Sequence, residues 1–195
     1  MIVGRAGSGK TSIAADYASR IKGDVLWYSL DAGDTDQASF DRCFLFGLFH
    51  AAALSQEDLK HESSLELFAD ITAGFELRKS EWPSVIILDG IHHLFDCGWF
   101  SEFFNLLIAS LPHSSHVIML SRSKPPNPIW RLRSKQILGV IDERALAFTP
   151  SEVQDLYTRN ELNRSDAKKA FNESFGRAGK VFRMLEKQKT GGTHR

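Results

Sequence analysis

Apolar positions along the chain follow two rhythms, and the two alternate. Val85 to Leu88 and Val117 to Leu120 are unbroken apolar runs, the pattern of strands covered on both faces, as in a parallel sheet. Val25 to Leu30 (VLWYSL) is a short apolar run with aromatics and predicts another strand, and Met1 to Val3 read as the tail of a strand entering a Gly-rich turn. Between these runs the spacing is helical. Lys10 to Lys22 predicts a helix with Gly23 as its C-terminal stop. Phe40, Cys43, Phe44, Gly47, Leu48 and Ala51 recur at helical spacing, and a further helix is expected across Leu65 to Lys79. Trp99, Phe100, Phe103, Phe104, Leu107, Ile108 and Leu111 trace one broad apolar face.

The character changes after the fourth strand. A Pro-rich loop, SRSKPPNP, opens at Ser121, and the basic residues Arg131, Arg133 and Lys135 follow as an expected solvated face. Ala145 to Phe148 are expected to form a fifth strand. Thr149-Pro150-Ser151-Glu152 carries three agreeing signals for a helix start: a capping hydroxyl, a proline in the first turn, and a glutamate that completes a capping box. From there to Gln188 the pattern is helical. The chain therefore divides into an α/β core, residues 1–148, a small helical subdomain, residues 149–188, and a polar tail, residues 189–195, expected to fray.

Composition narrows the class without assigning a chemistry. Apolar residues make up 43% of the 195 residues, ordinary for a soluble globular protein, and the length suits one α/β domain with a small appendage. The 24 basic side chains are matched by 24 acidic ones, which argues against a whole-domain binder of nucleic acid or membrane surface. Cys43 and Cys97 fit neither a CxxC nor a zinc spacing and read as reduced thiols. No apolar run approaches the ~20 residues of a spanning helix, and no charged leader precedes an apolar stretch, so the cytoplasm is the expected compartment.

Chemistry concentrates in Gly4-Arg5-Ala6-Gly7-Ser8-Gly9-Lys10-Thr11, a complete G-x-x-x-x-G-K-[ST]. A triphosphate needs several donors converging on its β and γ oxygens. A loop wrapped around it offers successive backbone N–H groups, and glycine permits the turns and the close approach. The helix that follows adds its N-terminal amides and dipole. Gly4, Gly7, Ser8, Gly9, Lys10, Thr11 and Ser12 are the predicted nucleotide-binding set. Lys10 places a charge between the β- and γ-phosphates, and Thr11 Oγ ligates Mg²⁺. Val85-Ile86-Ile87-Leu88-Asp89 ends a strand on a carboxylate where α/β sheets bind ligands, so Asp89 is the second predicted Mg²⁺ residue. Ser121-Arg122 ends the next strand, and Arg122 supplies a fork of donors suited to the γ-phosphate. Lys10, Asp89 and Arg122 are thus the candidate catalytic residues, with ATP or ADP and Mg²⁺ as cofactors. Gly90 stands where many such ATPases carry the acid that polarises the attacking water, so binding is predicted and hydrolysis is left open. His92 and His93 read as packed or solvated histidines. If the missing carboxylate is the only defect, Gly90→Asp should raise hydrolysis.

Together these motifs resemble STAND-class signal-transduction ATPases, specifically the nucleotide-binding domain of MalT-type LuxR-family transcriptional activators. GRAGSGKTSIAADYA resembles the phosphate loop and first helix, and VLWYSLDAGDTDQASF the second strand and its acidic turn. IILDGIHHL is similar to the Walker B segment, with Asp89 and His92 matching and Gly90 and Ile91 departing. HVIMLSR resembles the sensor strand. WRLRSKQIL followed by LAFTPSEVQDLY is similar to the Arg/Leu-rich segment and the start of the helical subdomain. The resemblance implies a three-layer α/β/α P-loop fold with a parallel sheet of about five strands, the P-loop strand beside the sensor strand. It further implies an ATP/ADP-dependent switch governing self-association or a protein partner, with no DNA-reading element in this chain. Gly179-Lys180-Val181 departs from a Gly-x-Pro-like nucleotide contact of relatives. Only three residues precede Gly4, which suggests a truncated start or a degraded paralogue. The rival readings are an AAA-like ATPase or a P-loop small-molecule kinase, and a nonhydrolysing nucleotide-binding remnant.

Overall fold

A computed structural model describes residues 1–51 and 83–191. Four strands, β1 (Ile2–Val3), β2 (Val25–Ser29), β3 (Val85–Asp89) and β4 (His116–Ser121), form a parallel sheet in the order β1-β4-β3-β2. The apolar runs read as doubly covered strands take the centre. Val85 through Leu88 are all buried, and their side chains alternate between two cores. Val85 and Ile87 join Ile2, Ala14 and Leu120 under helix α1 (Lys10–Arg20). Ile86 and Leu88 join the opposite core, with α2 (Gln37–Ala51) and α3 (Phe100–Ser110). Helices on both faces of the sheet make three layers.

The second core is aromatic. Phe40, Phe44 and Phe103 meet with ring centroids 4.8–5.4 Å apart, stacked or edge to face, and Tyr28 and Trp99 close the cluster. Phe40, Phe44, Phe103 and Trp99 are the residues whose helical spacing predicted these two helices. The helix expected over Leu65 to Lys79 lies outside the described residues. Helix α1 ends at Arg20, short of Gly23, because Ile21 already turns extended.

The expected fifth strand is absent at Ala145 to Phe148, which form a turn and its exit. The outer edge of β1 is instead met by one residue, Ile141, which bridges Ile2: Ile141 N donates to Met1 O at 2.9 Å and Val3 N to Ile141 O at 2.8 Å. Immediately after, the Asp142 carboxylate accepts from Arg144 N and Ala145 N at 3.0 and 3.1 Å, which curls the backbone and ends the pairing. The basic stretch after β4 is also more ordered than expected. It is a short helix, α4 (Asn127–Ser134), which buries Ile129 against the aromatic core, keeps Arg131 and Arg133 exposed, and lays the Arg133 guanidinium 5.0 Å from the Trp130 ring.

Helices α5 (Pro150–Arg159), α6 (Arg164–Ser174) and α7 (Ala178–Gly191) share a separate apolar cluster built on Val153, Tyr157, Ala167, Ala170, Val181 and Leu185. The capping box forms with both bonds: Glu152 N donates to Thr149 Oγ1 at 3.3 Å and Thr149 N to Glu152 Oε2 at 2.7 Å. Helix α7 runs through Gly191, past Lys189, where the sequence pattern begins the tail. Among the described residues no helix is long and apolar enough to cross a membrane.

The α6–α7 corner turns at Gly176, whose φ is +75° and whose amide donates to Ser174 Oγ at 3.1 Å. A Cβ there would stand 2.1 Å from Phe148 O. Gly176→Ala should therefore lower stability by at least ~2 kcal/mol, the sum of left-handed strain and a backbone clash. Gly98→Ala, whose methyl would meet nothing within 4 Å, should stay within ~0.5 kcal/mol. Urea unfolding midpoints of the two variants check the contrast.

Candidate functional site

The site forms at the C-terminal ends of β1, β3 and β4. Gly4 N donates to Ser121 O at 3.1 Å and Gly90 N to Leu120 O at 3.0 Å, so the three strand ends are tied side by side. From β1 the chain curls through Gly7 (φ +74°) and Gly9 (φ +92°), left-handed turns that glycine takes without a Cβ penalty. It then enters α1 at Lys10. Lys10 is 8% exposed, and its ammonium donates to Gly4 O at 2.7 Å and Arg5 O at 3.0 Å, inside the curve of the loop. Burial lowers the Lys10 pKa. Asp89, Arg122, Glu143 and Arg177 all stand close enough to act on it electrostatically. Ser8 is buried beside it, while Thr11 and Ser12 are exposed on the first turn of α1.

Thr11 Oγ1 donates to Asp89 Oδ2 at 2.8 Å across 78 residues of chain. A hydroxyl and a carboxylate held that close are hard oxygen donors of the kind Mg²⁺ takes, with its remaining positions left to water and phosphate. The donor set fits the metal that the motif implies. Thr11 and Asp89 would hold it, and the bound ion would neutralise charge on the terminal phosphates.

The next residues separate the two histidines from the predicted set. Gly90 has φ +94°, and a Cβ on it would lie 2.6 Å from Leu30 O. It opens a short 3₁₀ turn, Ile91–Leu94. His92 lies against His93 with ring centroids 4.4 Å apart and the rings tilted by 38°, and its Nδ1 is buried without a hydrogen-bond partner. Burial first, then the neighbouring His93, Arg122 and Lys10 charges, push its pKa down, which favours the neutral ring. Ser121 is fully buried. Its Oγ donates to Ser123 O at 2.6 Å and accepts from Ser123 N at 3.2 Å, so it shapes the loop. Arg122 is exposed on the wall of a cleft of about 750 Å³ beside the phosphate loop.

Three residues that sequence reasoning missed, Arg5, Glu143 and Arg177, complete the surroundings together with Gly179, which the sequence marks only as a departure from a nucleotide contact. Arg5, in a variable position of the motif, grips Glu143 with Nε at 3.1 and 3.0 Å from the two carboxylate oxygens and Nη2 at 3.0 Å from Oε1. Those bonds hold the Glu143 carboxyl below the usual carboxylate range. Arg177, at the α6–α7 corner, donates to Ala6 O and approaches Glu143 Oε1 at 3.9 Å. Gly179 N donates to Gly7 O at 2.8 Å, docking the start of α7 on the loop. Arg5 and Glu143 are 138 residues apart, and Ala6 and Arg177 are 171 apart, so no local spacing could signal them.

Residues 1–121 match a family described as AAA domain. Among solved structures, the chain is similar to a Signal Transduction ATPase with Numerous Domains (STAND) that carries a tetratricopeptide repeat sensor, from Pyrococcus horikoshii. The TM-score is 0.59 at 21% identity, over 91% of this chain and 25% of that one. It is also similar to the ORC1 protein of Aeropyrum pernix, solved in complex with DNA, with a TM-score of 0.56 at 15% identity over 92% of this chain and 50% of that one. The chain thus spans a quarter of the first and half of the second, and at these identities both likenesses are of fold.

Proposed function

The chain belongs to the AAA domain family, and we propose that its Gly4–Thr11 loop binds ATP or ADP with Mg²⁺ and works as a nucleotide-operated switch with slow or absent turnover. The chain is an AAA-type P-loop ATPase domain. The switch is the finer reading. One observation carries it: the bond from Gly179 N to Gly7 O, by which the start of α7 rests on the loop that would wrap the phosphates. Reshaping that loop around a polyphosphate changes the surface on which α7 is docked, so a bound nucleotide and the helical part bias one another.

In this reading residues 1–148 are the nucleotide-binding core and residues 149–188 the subdomain that responds. Backbone amides of Gly7 through Thr11, Ser8 among them, hold phosphates, with Gly4 and Ser12 completing the set. Lys10 carries the β/γ charge, Thr11 and Asp89 share the metal, and Arg122 reads the γ-phosphate. The setting we propose is signal transduction of the STAND kind, more narrowly of MalT-type transcriptional regulators, acting through self-association or a protein partner. The quoted motifs support it, and the likeness to the Pyrococcus STAND protein is in keeping with it.

Calorimetric titration with Mg·ATP and Mg·ADP, beside a steady-state phosphate-release assay, tests this. Both nucleotides should bind, with turnover well under ~1 s⁻¹, the lower end of ordinary enzymes. Turnover at that rate or faster would remove the switch reading in favour of a motor ATPase or a kinase. Asp89→Asn should cost about tenfold or more in Mg·ATP affinity, as losses around a metal's ligands do, and leave binding of metal-free ATP nearly unchanged. Titration with and without excess chelator checks it.

A further inference from the structure

Gly90 leaves the end of β3 without a carboxylate beside Asp89, and its backbone bars one from being added: its φ is +94°, and a Cβ would stand 2.6 Å from Leu30 O. The next carboxylate along the chain, Asp96, is exposed beyond the 3₁₀ turn. The turn itself supplies other polar groups. At three residues per turn Ile91 and Leu94 share one side, and both are fully buried in the aromatic core. His92 and His93, between them, are half-buried on the remaining sides. The turn is tied at its start, where Gly90 N donates to Leu120 O and His93 N to Gly90 O, each at 3.0 Å. His92 is thus carried on a rigid support three residues past Asp89. Lys10, Arg122 and Asp89 all stand close enough to act on its ring electrostatically, which sets it among the groups read above as serving the γ-phosphate and the metal. Its Nδ1 is buried without a partner. A buried polar atom left unpaired lowers stability, and such an atom calls for a ligand or a chemical role. Burial and the neighbouring cations favour the neutral ring, in which one nitrogen is an acceptor.

We propose that His92 is a catalytic residue for ATP hydrolysis, standing in for the missing carboxylate: with its proton on Nε2, its Nδ1 accepts a hydrogen bond from the attacking water. The proposal rests on the nucleotide reading above and adds the group that handles the water. The water oxygen bonds to the γ-phosphorus as the bond from that phosphorus to the β,γ-bridging oxygen breaks. The electron pair of the broken bond leaves with ADP. The water's proton passes through His92 Nδ1 to the released phosphate, so the ring ends neutral, as it began. Because Nδ1 is covered in the free chain, water must be admitted before it can be held, in keeping with slow turnover.

The test uses the full chain and two readouts. One is phosphate release at saturating Mg·ATP. The other is the imidazole NMR signals of His92, assigned by their loss in His92→Asn and followed in the free protein, with Mg·ADP, and with Mg·ADP plus orthovanadate, which mimics the phosphoryl group in transfer. His92→Ala should lower turnover about a hundredfold, the low end of what a general acid or base supplies, while Mg·ATP and Mg·ADP affinities move by less than about twofold. His92→Asn keeps a neutral acceptor on a short side chain but cannot carry the proton, and should retain only part of the rate. The His92 signals should shift with orthovanadate and stay nearly in place with Mg·ADP alone. If wild-type turnover is too slow to measure, the orthovanadate spectrum decides. Unchanged turnover in a nucleotide-binding His92→Ala protein overturns the proposal, as do His92 signals that ignore orthovanadate. Equal losses of turnover and of both affinities mark a structural role and overturn it too. Should His92→Ala fold poorly, His92→Asn and the wild-type spectra carry the test. If neither nucleotide binds the wild type, the functional reading falls and takes this inference with it. If both bind and His92 responds in neither readout, the inference alone falls.

Discussion

Lys10→Ala is expected to weaken binding of Mg·ATP and Mg·ADP by roughly two to three orders of magnitude, since truncating one partner of a buried, hydrogen-bonded charge pair costs about 2–5 kcal/mol. The ammonium is enclosed rather than dangling: it is 8% exposed and stands inside the loop, held by Gly4 O and Arg5 O. It is therefore preorganised, and little side-chain entropy remains to be lost when phosphates arrive. Removing it also strips a donor from the two carbonyls, so the free protein should lose ~1–2 kcal/mol of stability. That loss must be separated from the loss of binding. Titration at fixed ionic strength, with unfolding midpoints measured in parallel, does so. Lys10→Arg should fail as well, because a longer planar fork does not fit a position enclosed by backbone. An unchanged affinity in a folded Lys10→Ala protein would remove the phosphate-loop reading, and every residue role above would go with it.

Gly90→Asp is expected to lower stability by ~2–4 kcal/mol, combining left-handed strain with a backbone clash, and to leave hydrolysis unrestored. From sequence the exchange looks like a repair, because it returns the acid that many P-loop ATPases carry beside Asp89. The structure removes that reading. Gly90 has φ +94°, and any Cβ would lie 2.6 Å from Leu30 O. Relaxation is blocked on both sides: Leu30 N is bonded to Asp89 O at 2.7 Å and Gly90 N to Leu120 O at 3.0 Å, so moving this backbone breaks ties among three strands. Gly90→Ala should cost nearly as much as Gly90→Asp, which would locate the loss in the backbone and not in the added charge. Chemical denaturation of the two variants and a phosphate-release assay on each decide the matter. A Gly90→Asp protein with an unshifted midpoint and faster turnover would mean that the glycine only vacates a functional position.

Legible in the sequence was whatever a few contiguous residues decide for themselves. The eight residues from Gly4 to Thr11 form a phosphate-loop turn because their glycines sit where left-handed backbone is needed, and Thr149 and Glu152 cap a helix because three-residue spacing closes both bonds. The runs at Val85 and Val117 became central strands because only a doubly covered strand accommodates unbroken apolar sequence. Where several chain segments compete, local pattern did not decide. Ala145 to Phe148 resemble a strand by composition, yet Ile141 takes the edge of β1 and Asp142 curls the backbone directly after it. Tertiary structure alone brought Thr11 onto Asp89, set Glu143 between Arg5 and Arg177, and closed the space around Gly90. The physical reason is range. Backbone conformation and capping are settled within a turn of chain, whereas charge pairing and steric room at a site depend on which distant segments the packed core brings together.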